Sequence, residues 1–117
     1  MPSRFTRLTL IPAVLVASIV AATPASAATL VRGNAMRWHP ATVSISRGGA
    51  VRWKAVDVHH TIHSYGSNWS YSRDLPAGTS TSPRTFNRRG TFRFYCTIHG
   101  SVVGGTCTGM CGRVVVG

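Results

Sequence analysis

Carboxylates are nearly absent: the 117 residues include two, Asp57 and Asp74, against 13 basic side chains. So sparse an acid complement leaves little for general acid–base catalysis, and no nucleophile stands in a defensible arrangement with a base. Convincing helical periodicity is also missing from residue 28 onward, which argues against helical and alternating helix–strand designs. Long apolar runs are lacking too. The longest, Leu8 to Ala22, is broken by Thr9, Pro12 and Ser18; at about 15 residues it falls short of the roughly 20 that cross a bilayer as a helix. No internal repeat, low-complexity tail or linker divides the rest of the chain, so the sequence is expected to hold one folded domain.

The short apolar run fits a leader. Arg4 and Arg7 precede it and Ala25-Ser26-Ala27 closes it, the basic, apolar, small-x-small order of a secretory signal peptide. Residues 1–27 are therefore expected to be removed. The remainder, 28–117, would be exported to the periplasm, the cell envelope or the medium, with no integral membrane segment. Ninety residues fold alone on a narrow margin, and a metal or a disulfide widens it. Eleven of the 90 are basic, ten of them arginine, against the two aspartates, a net charge of +9. That field attracts acidic partners and is weakened by salt. Export sets nucleic acid aside in favour of acidic envelope polymers or an acidic redox protein.

Short alternating runs separated by turn residues fill residues 28–117 and read as strands. Thr42-Val43-Ser44-Ile45 ends at Gly48-Gly49. Val51 to Val56 puts Val51, Trp53 and Ala55 on one face. Thr61 to Tyr65 stops at Gly66, and Thr91 to Cys96 places Phe92, Phe94 and Cys96 together. Thr85-Phe86 and Arg113 to Val116 complete the set, while Ser67 to Pro83, rich in Ser, Gly and Pro, reads as mostly loop. Short strands at spacings near ten residues predict an all-β fold, a single Greek-key β-sandwich or barrel of about seven to eight strands. Trp38, Trp53, Phe86, Phe92, Phe94 and Met36 are its candidate core; Trp69 and Tyr71 could pack locally or meet a partner.

All three cysteines, Cys96, Cys107 and Cys111, fall in the last 22 residues. In an oxidising compartment paired thiols close, and an odd count leaves one with another role. Cys96-Thr97-Ile98-His99 sets a soft thiolate and an imidazole three residues apart after a strand. Met110 comes next, before the last strand, and His60 lies in a loop that a sandwich could bring to the same end. Thiolate and thioether favour cuprous copper and imidazole tolerates both oxidation states. His59 and His63 are expected to be exposed or on a strand edge.

At these residues the sequence resembles the plastocyanin/azurin-type blue copper proteins, the cupredoxins. Met36-Arg37-Trp38-His39-Pro40, Gly48-Gly49, Val51-Arg52-Trp53 and Asp57-Val58-His59-His60-Thr61-Ile62 are each similar to segments of that family. Gly90-Thr91-Phe92-Arg93-Phe94-Tyr95-Cys96-Thr97-Ile98-His99 is similar to its most specific motif. The resemblance implies that His60, Cys96 and His99 are equatorial ligands of one copper ion cycling between Cu(I) and Cu(II), with Met110 axial. One departure stands out. The family usually places the methionine within a few residues of the second histidine, and here ten residues intervene. A Cys107–Cys111 disulfide, bracketing Met110, is expected to fix its approach.

The function so implied is one-electron transfer between redox partners by a small exported monomer, with no enzymatic activity of its own. A copper storage or delivery module would use similar ligands. A zinc-stabilised domain built on Cys96, His99, Cys107 and Cys111 is a further alternative, at odds with its irregular spacing. A copper oxidase would require a second centre and another domain.

Overall fold

The computed structural model describes residues 3, 9–16 and 27–117. Most of the leader expected over 1–27 lies outside the described residues. Among the described residues no helix is long and apolar enough to cross a membrane.

Among the described residues nine strands succeed one another: β1 Thr29–Asn34, β2 Arg37–His39, β3 Thr42–Ile45, β4 Ala50–Ala55, β5 His60–Tyr65, β6 Ser72–Leu75, β7 Arg84–Thr85, β8 Gly90–Val103 and β9 Thr106–Val116. They form two mixed sheets, ordered β2-β1-β4-β7 and β3-β9-β8-β5-β6. β1 runs parallel to β4 and β3 parallel to β9, while the other pairings are antiparallel. The chain crosses between sheets after β2, β3, β4, β6 and β7, which makes a sandwich.

Alternation decides which face is buried, because successive strand side chains point to opposite sides. On β4 Val51, Trp53 and Ala55 are buried and Arg52 is exposed; on β8 Phe92, Phe94 and Cys96 are buried and Arg93 is exposed. The core is aromatic. Phe94 meets Trp38 and Trp53 edge-on, with ring centroids 5.6 and 5.3 Å apart. Trp69 stacks on Tyr71, and Phe86 and Phe92 pack beside Trp69.

Two expectations are refined and one is corrected. The described residues form nine strands where about seven to eight were expected, because β2 and β7 span only three and two residues. The stretch 67–83 is mostly loop, as expected, and contains one short strand, β6. That strand edges its sheet and buries only Leu75, so its sequence carries almost no alternation to read. Met36 is 59% exposed rather than core. It shares with Ala35 the turn between β1 and β2, and both have left-handed backbone, φ 55° and 53°. The turn presents Met36 outward.

The longest pairing, β8 with β9, is interrupted. Tyr95 pairs with Cys111 and the ladder resumes at Gly100 with Gly109. Four residues, Cys96 to His99, thus stand opposite one, Met110. Beyond the break Gly100–Val103 and Thr106–Gly109 form a ribbon. Gly104 and Gly105 close it, both with left-handed φ, 56° and 78°, as a two-residue hairpin turn matched to strand twist requires.

Gly112 pairs with Phe94 and lies buried against its ring, where a Cβ would overlap the ring carbons. Gly112→Ala is expected to cost about 1–3 kcal/mol through overpacking, measured as a lower denaturant midpoint with an unchanged slope. An unaltered midpoint would contradict this packing.

Candidate metal centre

His60 opens β5, and the inward phase of that strand drives its ring into the core, where it is fully buried. Cys96 ends the inward-facing series Phe92, Phe94, Cys96 of β8 and is buried as well. The register break turns the chain directly after it, so that His99, half-buried, returns toward the same point. The ligand-type atoms of His60, Cys96 and His99 lie within 4.8 Å of one another, the single such cluster among the described residues. Both imidazoles present Nδ1: the two Nδ1 atoms are 3.1 Å apart, and Cys96 Sγ lies 3.9 Å from that of His60 and 3.6 Å from that of His99.

Met110 is fully buried. Its register position faces the Cys96–His99 bulge, because the ten intervening residues fold outward as the ribbon and return the chain to its starting point. Its methyl group and the His60 ring press on the same spot of β1. A Cβ on Gly33 would sit 2.8 Å from His60 Cδ2, 3.1 Å from Met110 Cε and 3.1 Å from Trp38 Cζ3. Gly33 therefore leaves the room in which these side chains lie together. Cys107 and Cys111 are joined in a disulfide that brackets Met110, and Cys96 is the free thiol. With both outer cysteines bonded, the four-ligand zinc arrangement loses two of its donors.

Asp57 sets the orientation of the buried histidine. Its Oδ1 accepts the His60 Nε2 proton at 2.9 Å, and its Oδ2 accepts the Ala35 N–H at 2.9 Å. With Nε2 carrying the proton, Nδ1 carries a lone pair aimed at the cluster. The hydrogen bond from His60, with those from the Val58 and Ala35 amides, holds the Asp57 carboxyl well below the usual carboxylate range. Cys96 Sγ accepts the Thr61 N–H at 3.4 Å. The Thr61 hydroxyl accepts the Thr97 N–H at 2.8 Å and lies 2.7 Å from Thr97 Oγ1, tying β5 to the bulge. Buried nitrogen lone pairs and a soft sulfur, with an ordered carboxylate behind one ring, suit a borderline-soft transition-metal ion.

His59 lies outside the cluster, exposed and paired with Asp74. His63 is exposed on β5, edge-to-face with Tyr95, and His39 bonds the Asn34 carbonyl. Sequence reading left Gly33 and the Thr61–Thr97 clamp without a role. Gly33 sits on a distant strand with no motif around it. The clamp had a faint signal in Thr61 directly after His60.

No protein-family model matches the chain, and no curated protein matches it. Solved structures do. Amicyanin from Paracoccus versutus is 21% identical, with 79% of this chain aligned to 83% of that one at a TM-score of 0.61. A purple cupredoxin from Nitrosopumilus maritimus is 21% identical, over 76% of this chain and 99% of that one, TM-score 0.59. A copper-containing nitrite reductase from Thermus scotoductus is 18% identical, with a TM-score of 0.64 over 78% of this chain. This chain spans 22% of the nitrite reductase. These likenesses establish the fold, a cupredoxin sandwich.

The charge on Asp57 has a consequence for stability. Because its folded-state pKa is depressed, its contribution is complete above about pH 4, the range of an unfolded aspartate, and is lost as pH falls toward the folded value. Asp57→Asn keeps an acceptor and removes the charge. In the metal-free protein it should lower the denaturant midpoint at pH 7 and flatten the decline between pH 4 and pH 2. Superimposable wild-type and variant profiles would contradict the Asp57–His60 pairing.

Proposed function

We propose that His60 and His99, through Nδ1, and Cys96, through Sγ, hold one copper ion with Met110 as a weaker axial ligand, and that the protein is a one-electron carrier. The observation that carries this reading is the convergence of two imidazole nitrogens and one thiol sulfur within 4.8 Å, the trigonal donor set of copper electron-transfer sites. Copper supplies the Cu(I)/Cu(II) couple. The chain supplies the rest. Asp57 fixes the His60 tautomer, Thr61 donates to the Cys96 sulfur and steadies its thiolate charge, and Trp38 and Met110 exclude water from the inner side. Ligands seated on β5, β8 and β9 of one sheet have little freedom to rearrange when the charge on the ion changes.

His99 is the route for the electron. It alone of the three is partly exposed, beside a shallow depression shared with Ala35, Met36, Arg37 and Gly109. The Cys107–Cys111 bridge ties the outer part of the ribbon to the strand beyond Met110 and so holds the position of Met110. The net positive charge favours a redox partner with an acidic docking surface. Function outside the cytoplasm, after loss of residues 1–27, is part of the same reading, as is the absence of catalysis by this chain alone.

Titration of the tag-free protein with copper(II) should produce an intense visible absorption saturating at one equivalent, together with a reversible one-electron couple. Cys96→Ser should abolish that band and leave the β-sheet circular dichroism intact. A folded wild-type protein that takes up copper(II) without the band would sink the assignment.

A further inference from the structure

The two side-chain carboxylates of the sequence are both occupied by histidines, Asp57 by His60 and Asp74 by His59. No arginine among the described residues forms an ion pair, and two of them are nevertheless gathered at one spot. Arg73 of β6 and Arg84 of β7 both lie over the ring of Tyr71, their Cζ atoms 4.7 and 5.7 Å from its centroid. Tyr71 is a fixed platform, buried and packed between Trp69 at 5.6 Å and Trp53 at 5.3 Å. β6 edges one sheet and β7 the other, so the two guanidiniums flank a groove of about 400 Å³ on the open side of the sandwich.

The groove wall between them is Ser80, Thr81 and Ser82, followed by Pro83. Thr81 is anchored, its Oγ1 accepting the Trp53 N–H at 3.1 Å, which leaves its own hydroxyl proton to donate. Arg73 spends one N–H on the Ser72 carbonyl at 2.7 Å, and Arg84 makes no side-chain hydrogen bond among the described residues. Most of the donors of two planar forks are therefore without an internal partner, on residues that line the groove together with hydroxyl groups. Asp74 also lines it, with its charge directed to His59. Like charges gathered around one aromatic ring, with hydroxyl groups between them and the one carboxylate of the groove, Asp74, engaged by His59, match a doubly charged oxyanion, which guanidinium forks bind bidentately.

We infer that the Tyr71 groove is an oxyanion site that takes a phosphate group, free or carried on a larger molecule, between Arg73 and Arg84. None of its lining residues belongs to the His60–Cys96–His99 cluster.

Calorimetric titration of the protein at constant ionic strength, with inorganic phosphate and with a short linear polyphosphate as probes and acetate as control, tests it. Saturable one-to-one binding of phosphate is expected, with acetate giving none. Arg73→Ala and Arg84→Ala should each weaken binding about tenfold or more, as loss of a charge-assisted hydrogen bond implies. Arg84→Lys should recover part of that loss, and Arg32→Ala, which removes the same charge from β1, should change affinity less than twofold. Equal affinities for the two probes would identify a free anion as the ligand, and markedly tighter polyphosphate binding would identify a phosphate-bearing chain. Absence of saturable binding, an equal response to acetate, or an equal loss in Arg32→Ala would overturn the proposal.

Discussion

The register break between β8 and β9 is the constraint on which the site depends. Four residues of one strand, Cys96 to His99, are set against one of the other, Met110. An unbroken ladder would alternate these side chains between the two faces of the sheet, and His99, three positions from Cys96, would point away from it. The bulge lets both face inward toward His60, which the neighbouring strand β5 delivers at its first residue. The same break accounts for the position of Met110. Sequence distance from His99 is cancelled because the extra residues pair with each other in a ribbon that leaves and re-enters the sheet at one place.

Around that break the polar groups are arranged so that each buried donor atom faces the cluster in a defined state. Asp57 takes the outer nitrogen of His60, and Thr61 holds both the sulfur of Cys96 and the backbone of Thr97. The carboxylate is shared with the Ala35 amide, so the left-handed turn at Ala35-Met36 and the orientation of the buried ring are tied to one group. Gly33 completes the arrangement from the opposite sheet by having no side chain where His60, Met110 and Trp38 meet. Both sheets therefore contribute to the geometry of the site, although its three clustered donors come from one.

Much of this was legible in the residues. The alternation in Val51 to Ala55 and Phe92 to Cys96 reports burial on one face, and it marked the core, the all-β class and the end of the strand where Cys96 lies. The spacing of Cys96 and His99 pointed to a shared site, and the resemblance to the cupredoxins, through Thr61-Ile62 after His60, named the third side chain that the structure brings to them. What could not be read were features set by contacts between distant strands. β6 is polar and edges a sheet, so its identity comes from pairing with β5. Met36 carries an apolar side chain in a turn that points outward, and composition alone sends it to the core. The ribbon is written in Gly104-Gly105 between Val102-Val103 and Thr106-Cys107, a hairpin signal overshadowed by the distance it adds between His99 and Met110. Gly33 has no local pattern at all, because its importance lies in what other strands place against it.

The central claim is that an ion binds among His60, Cys96 and His99. X-ray absorption at the copper edge of the copper-loaded protein tests it most directly, since it counts the atoms around the metal irrespective of colour or potential. The account predicts an inner shell of two imidazole nitrogens and one thiolate sulfur. An inner shell of nitrogen and oxygen without sulfur would put the ion elsewhere and contradict it.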